Sequence, residues 1–136
     1  MKSPSSVVTL FAGGVFRVRL SRPRVHNAFD EEMVKALHAA LDAAEGEASA
    51  RLLLLEAEGK SFCAGADLAW MHRQGGASFE ENEISSLRLA RLFDRLDTMA
   101  MPVIARVQGP AVGGGVGLVA ASDVAVASSE ATFSLA

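Results

Sequence analysis

The chain has 136 residues, half of them apolar and 21% charged, and its 13 Lys and Arg against 16 Asp and Glu give a formal net charge of −3. This length suits at most one domain with its own core, and the scattered basic residues exclude the electrostatic footprint of a nucleic-acid-binding protein. No apolar run is long enough for a membrane span, the N-terminus lacks the pattern of a signal peptide, and Cys63 is the single cysteine. We therefore expect a cytoplasmic protein.

The N-terminal third predicts a β-hairpin followed by an amphipathic helix. Residues 7–20 form two β-rich runs around a glycine pair, and the second run alternates apolar residues with arginines. In residues 30–46, Asp30 is the predicted N-cap and Gly46 the stop. The buried face of this helix would consist of Met33, Ala36, Leu37, Ala40, Leu41 and Ala44.

Strands and helices then alternate along the rest of the chain. The run "RLLLLEA" has no polar alternation, so we expect a strand that is covered on both faces, as in parallel sheets. The order β-β-α-β-α-β-α-β predicts an α/β fold with parallel pairing. The remaining predicted elements are a short helix near Asp67, a long helix at 79–97, a strand at 102–107, a helix at 115–122 and a strand at 123–128.

Five glycines fall within nine positions of the stretch "GPAVGGGVGLV", residues 109–119. A phosphate-binding P-loop is excluded, because Gly115 and Val116 stand where a lysine and a hydroxyl residue are required. The pattern from Gly115 to Ala120 matches a dinucleotide fingerprint. In that fingerprint the first glycine directly follows a strand, whereas Gly115 lies well after the preceding predicted strand. Two further interpretations stay open: the glycines let a helix pack closely, or backbone amides from two loops form an oxyanion hole.

Three segments resemble the enoyl-CoA hydratase/isomerase (crotonase) superfamily: "RPRVHNAFDEEM", "GKSFCAGADLAWM" and "PVIARVQGPAVGGGVGLVAASDVAVAS". The resemblance implies an α/β fold that is a crotonase-type spiral of β-β-α units (ClpP/crotonase-like). Residues 1–136 would be the N-terminal part of a crotonase-like acyl-CoA-binding domain, so we expect a truncated chain. It also implies an acyl-CoA substrate, no separate cofactor because coenzyme A is part of that substrate, and a homotrimer or hexamer of the full-length form.

The segment "AGADLAWM" further resembles methylglutaconyl-CoA and isohexenylglutaconyl-CoA hydratase-like members, which implies hydration of a branched enoyl-CoA. The resemblance to the superfamily as a whole implies that the backbone N–H groups of Ala66 and Gly114 form an oxyanion hole for the thioester carbonyl. The acyl-CoA would lie along Arg24, Val25, Lys60, Ala64, Asp67 and Leu68.

Several of these assignments have a purely structural alternative. Asp67 could be only the N-cap of the next helix, and Arg24 and Lys60 could be solvated surface charges. Trp70 and Met71 could line the acyl pocket or fill the core.

The chain departs from the family pattern at one position that matters for catalysis. Hydratases of this family carry a glutamate two residues after the glycine triple, where this chain has Gly117, and the second family glutamate would lie beyond Ala136. We expect Gly117 to leave space in the acyl site, and we expect Glu130 to be a turn residue. An isomerase that uses one glutamate and a non-catalytic CoA-binding fragment are therefore alternatives to a hydratase.

The remaining reactive side chains give weaker signals. Cys63 lies beside the first loop, but no histidine is placed to activate it, so a small buried residue is the favoured interpretation. His26, His38 and His72 lack the spacing of metal ligands, so no metal site is predicted.

Overall fold

A computed structural model describes residues 5–135, which form strands, helices and one short 3-10 turn, Pro23–Val25. None of the helices in this described range is long and apolar enough to cross a membrane. The strands are β1 Val7–Ala12, β2 Val15–Leu20, β3 Leu52–Ala57, β4 Val103–Val107, β5 Ala111–Val112, β6 Val124–Ala127 and β7 Phe133–Ser134. The helices are α1 Glu31–Glu45, α2 Leu68–Gly75, α3 Phe79–Asp97 and α4 Gly114–Ala121.

Five strands form the main sheet in the order β1-β2-β3-β4-β6. The predicted hairpin is confirmed: β1 and β2 pair antiparallel, and Gly13 and Gly14 between them both have positive φ, which suits glycine. The other neighbours pair in parallel, as the alternation of strands and helices predicts. Parallel strands end at one edge of the sheet, so the loops that follow β3 and β4 meet there.

The predicted amphipathic helix is confirmed and packs on one face of this sheet. The Asp30 side chain caps α1 by accepting a hydrogen bond from Met33 N at 2.8 Å, and Gly46 follows its last residue. Val34 is buried in this helix, whereas the predicted core residue Ala36 is only half-buried. The buried apolar side chains of β2, β3 and β4 are Phe16, Val18, Leu20, Leu53, Leu55, Val103, Ala105 and Val107.

The second face of the sheet is more open than predicted. Leu52 and Leu54 of β3 are half-buried, so the expectation of a strand fully covered on both faces is wrong for this side. The neighbouring strand places Arg17 and Arg19 on the same face, and Arg19 Nη2 lies 3.2 Å from Oε1 of the buried Glu56. Charged side chains therefore replace a second apolar layer here.

The C-terminal strands of the described range are exposed. Val124 and Val126 of β6 are 51% and 59% exposed, and Phe133 of β7 is 51% exposed. β7 pairs in parallel with β5 as a separate two-stranded sheet. Glu130 is exposed in the turn between β6 and β7, which confirms the predicted turn residue.

Candidate active site

Two loops lie side by side at the carboxyl ends of β3 and β4. Cys63 of the first loop pairs in parallel with Ala111, and Val112 N donates a hydrogen bond to Cys63 O at 2.9 Å. Ala66 and Gly114 each lie three residues beyond this pair. The shared register therefore brings the two predicted oxyanion donors to neighbouring positions, although 48 residues separate them in sequence.

Both of these backbone amides are available to a ligand. Phe29 bonds to the residues on either side of Ala66 but not to Ala66 itself. Gly114 is the first residue of α4, so its N–H has no acceptor within the helix. Among residues 5–135, neither amide has a hydrogen-bond partner. The start of α4 adds the positive end of a helix dipole, so this arrangement can stabilise an oxygen that gains negative charge.

Close backbone packing explains why the loops need glycine. Gly65 has φ +85°, and a Cβ there would lie 2.8 Å from Val112 O and 3.4 Å from the Gly114 nitrogen. A Cβ on Gly114 would lie 2.8 Å from Cε2 of Phe29, and one on Gly115 would lie 2.3 Å from Cys63 O. Gly114 therefore both packs closely against its neighbours, as one interpretation of the glycines predicts, and offers a free amide.

The dinucleotide fingerprint does not have the geometry that it requires. Gly115 and Gly117 lie inside α4, whereas the glycines of that fingerprint form the turn between a strand and a helix.

The expectation that Gly117 leaves space is wrong. A Cβ built on Gly117 would lie 2.9 Å from Cε1 and 3.0 Å from Cζ of Phe93, a half-buried residue of α3. The volume in front of Gly117 is therefore filled by an aromatic ring that comes from another helix. Sequence reasoning missed this contact because 24 residues separate the two positions.

Asp67 is the N-cap of α2, which was the structural alternative to a contact with the substrate. Its Oδ1 accepts a hydrogen bond from Trp70 N at 3.0 Å and so caps α2, and its Oδ2 lies 3.4 Å from Nη2 of Arg22. The same Arg22 nitrogen is 3.4 Å from Oδ2 of Asp30, the cap of α1. One guanidinium thus links the N-termini of two helices beside Ala66, and the proposed substrate contact of Asp67 stays a prediction.

The residues predicted to meet the CoA moiety lie partly together. Arg24 and Val25 line an open cleft of about 540 Å³, whose other lining residues are Ser21, Arg22, Pro23 and Glu58. Lys60 is exposed but does not line this cleft. Its loop packs against the cleft wall, because a Cβ on Gly59 would lie 2.9 Å from Pro23 Cβ. The structure therefore brings Lys60 near the cleft without placing it inside.

The other predicted site residues separate into core and surface. Ala64 is half-buried, and its N–H donates to His26 O at 2.9 Å. Leu68 is 81% exposed at the start of α2. Trp70 is buried in the core, whereas Met71 is 53% exposed.

The single cysteine is buried, as predicted. Cys63 is fully buried, and its Sγ lies 3.2 Å from the Asn27 carbonyl oxygen. Desolvation raises the pKa of this thiol from 9.0 to about 11, and a backbone hydrogen bond from Gly65 opposes the shift only in part. Cys63 is therefore a protonated packing residue and not an activated nucleophile.

Asn27 and Phe29 are two site-building residues that the sequence reasoning did not single out. Asn27 is fully buried with φ +57°, and its side chain bonds to the main chain of Arg22, Glu58 and Ser61 at 2.7, 2.8 and 3.1 Å. Its available signal was its type, since asparagine tolerates the left-handed region better than most residues. Asn27 fixes the first loop, and Phe29 supports both donors.

Known proteins are similar to this chain in sequence. The family model "Enoyl-CoA hydratase/isomerase" matches residues 11–136. A curated relative from Thermus thermophilus, named "Putative enoyl-CoA hydratase", is 42% identical over 92% of this chain and 49% of its own length. The chain spans about half the length of the curated relatives that it matches.

Solved structures agree with the same assignment. An enoyl-CoA hydratase from Shewanella pealeana has a TM-score of 0.91 and 41% identity over 94% of this chain and 48% of its own. An enoyl-CoA hydratase from Mycobacterium smegmatis has a TM-score of 0.89 and 36% identity over 96% of this chain and 50% of its own. The α/β fold predicted from the sequence is thus confirmed.

Proposed function

Since the chain belongs to the enoyl-CoA hydratase/isomerase family, we propose that it supplies the thioester-binding half of an enoyl-CoA hydratase. The observation that carries this proposal is the pair of unpartnered amides at Ala66 and Gly114, in loops held together at Cys63 and Ala111. A thioester carbonyl oxygen between these amides would accept two hydrogen bonds. Each such donor is worth about 3 kcal/mol of transition-state stabilisation.

Hydration places the largest new charge on that oxygen. As a general base takes a proton from water, the water oxygen bonds to the β-carbon of the enoyl group, the π electrons move toward the carbonyl, and an enolate oxygen forms between the two amides. The α-carbon then takes up a proton, which completes the 3-hydroxyacyl thioester. The amides cost no reorganisation during this step, because the loop pairing fixes them beforehand.

The groups that move protons are not offered by the loops themselves. Position 117 is a glycine, and the carboxylate of Asp67, next to Ala66, is held by Arg22 and the amide of Trp70. In the proposed enzyme, a carboxylate of the full-length protein or of the substrate holds the attacking water. A positioned general base contributes about 10²- to 10⁴-fold in rate.

A branched enoyl-CoA that carries its own carboxylate, of the methylglutaconyl-CoA type, is the proposed substrate class. The glycine at position 117 supports this, since a carboxylate there would repel a negatively charged acyl group across a site of low dielectric constant. The cleft beside Arg24 and Val25 supports binding of the CoA moiety, with Lys60 at its margin for a phosphate. The full-length form is proposed to assemble as a homotrimer or hexamer.

A double-bond isomerase is the second candidate, and Gly117 is the observation that favours it. An isomerase needs one carboxylate to move a proton between two carbons, whereas the two-carboxylate hydration mechanism needs the group that Gly117 lacks. The two reactions are distinguished by mass, since only hydration adds a water molecule to the acyl-CoA.

The decisive test compares Gly114→Pro with Gly114→Ala in the full-length protein. Both variants place a Cβ against Phe29, but only proline removes the N–H. We expect Gly114→Pro to lower kcat for hydration by about 10²- to 10³-fold relative to Gly114→Ala. Equal kcat values in the two variants, both folded by circular dichroism, would show that this amide does not hold the substrate oxygen.

A further inference from the structure

Two aromatic rings lie beneath the glycines of α4. Gly114 and Gly117 are three residues apart and therefore share one face of the helix. A Cβ on Gly114 would meet Phe29 at 2.8 Å and Phe93 at 3.9 Å, and a Cβ on Gly117 would meet Phe93 at 2.9 Å. This face of α4, which begins with the free amide, is thus covered by Phe29 and Phe93.

Phe93 is held in this place by its neighbours. Its ring packs edge-on against the ring of Phe29, with the centroids 6.5 Å apart and an interplanar angle of 79°. Phe29 is fully buried, whereas Phe93 is half-buried and retains a surface on which a ligand can pack. Of the two rings, only that of Phe93 is partly exposed.

From this geometry we propose that Phe93 is a specificity-determining residue of the acyl site, because its ring occupies the volume that a side chain at position 117 would enter. This inference rests on the proposed function and deepens it. An acyl group held by Gly114 meets an aromatic edge next to that amide, where a carboxylate at position 117 would otherwise hold water. The wall is uncharged, so it accepts an acidic branched acyl group without like-charge repulsion.

The proposal makes position 117 and Phe93 a coupled pair. A glutamate at position 117 alone meets the Phe93 ring along its Cβ direction, so this ring must shift before the glutamate can extend. When Phe93 is shortened, the same glutamate has room and introduces its charge beside the acyl group. The effect of Gly117→Glu on substrate preference must therefore depend on residue 93.

The test is a double-mutant cycle in the full-length protein with Phe93→Ala, Gly117→Glu and the double variant. The quantity measured is the ratio of kcat/KM for a carboxylated branched enoyl-CoA to kcat/KM for crotonyl-CoA. We expect the double variant to lower this ratio about tenfold more than the product of the single changes. Phe11→Ala is the matched control, because Phe11 is also a half-buried ring paired with another phenylalanine, Phe16 at 6.2 Å, but on β1.

Each outcome of the cycle decides between the claims. Changes in the ratio that multiply independently would overturn the role of Phe93. A wild-type protein that hydrates neither ester would overturn the proposed function instead. In that case, non-additive changes in the midpoint of thermal unfolding in the same variants would still establish the steric contact between position 117 and Phe93. Phe93→Leu, with and without Gly117→Glu, replaces the alanine variants if these do not fold, and the same non-additivity is required of it.

Discussion

The main chain of Phe29 holds both neighbours of Ala66. Phe29 N donates to Gly65 O at 2.6 Å, and Phe29 O accepts a hydrogen bond from Asp67 N at 2.7 Å. The ring of the same residue lies against the Cα of Gly114, where a Cβ would come within 2.8 Å. One buried residue therefore positions both of the amides that are proposed to bind the thioester oxygen.

Removing the ring of Phe29 should lower the stability of the protein strongly. We expect Phe29→Ala to lower the free energy of unfolding by about 3–5 kcal/mol, because the side chain is fully buried and its loss leaves a cavity. Urea denaturation of the full-length protein measures this. Phe11→Ala is the control and should cost clearly less, since Phe11 is only half-buried. Equal losses in the two variants would contradict the supporting role of Phe29.

Asp67 offers a way to separate helix capping from substrate contact. We expect Asp67→Asn to keep most of the cap of α2, because asparagine also accepts from the amide of Trp70, while it weakens the ion pair with Arg22. Asp67→Ala should lose about 1 kcal/mol more in the free energy of unfolding. If KM for the acyl-CoA rises strongly in Asp67→Asn while stability is retained, the carboxylate contacts the substrate and capping is not its main role.

The structure shows which parts of this molecule follow from local sequence. The hairpin at Gly13 and the α1 cap at Asp30 were predictable, because each depends on residues within a few positions of one another. The glycine cluster was recognisable as a place where the backbone approaches something closely. What it approaches was not predictable, since the contact of Gly115 with Cys63 joins residues 52 positions apart.

In the candidate site, too, some features were predictable from local sequence and others depend on distant contacts. The roles of Ala66 and Gly114 came from the resemblance of two motifs, and the register at Cys63 and Ala111 explains how those motifs act together. The ring of Phe93 over Gly117 had no local signal, because one half-buried phenylalanine in an amphipathic helix resembles any core residue. Contacts between helices depend on the packing of the whole domain.

The buried thiol of Cys63 predicts a particular dependence of stability on pH. Its pKa is raised from 9.0 to about 11 in the folded state, so the folded protein binds this proton more tightly than the unfolded chain does. The contribution is fully present below pH 9 and is lost as the pH rises toward 11, with a slope of up to about 1.4 kcal/mol per pH unit. Urea denaturation at pH 8, 9 and 10 should therefore show a steeper fall for the wild type than for Cys63→Ser. Parallel curves for the two proteins would contradict the buried, protonated thiol.

Among the glycines of the two loops, we expect substitution of Gly109 to lower the free energy of unfolding most. A Cβ at this position would lie 1.9 Å from Lys60 O and 3.0 Å from the carbonyl carbon, so the first loop would have to move as a whole. Gln108 Nε2 donates to Gly59 O and Ser61 O at 3.0 Å each, which resists that movement. We expect Gly109→Ala to cost more than about 3 kcal/mol in the free energy of unfolding, beyond the usual range for a point mutation.

The matched control for Gly109→Ala is Gly75→Ala, at the last residue of α2, where a Cβ would meet nothing within 4 Å. This change should stabilise the full-length protein by about 0.5–1 kcal/mol, because alanine loses less backbone entropy than glycine in a helix. Because the loop beginning at Gly109 also carries Gly114, any folded Gly109→Ala protein should lose kcat for hydration while Gly75→Ala keeps it. A Gly109→Ala protein with wild-type stability and kcat would mean that Lys60 and Gly109 can separate without disturbing the two amides, and the paired loops would then not be what fixes the site.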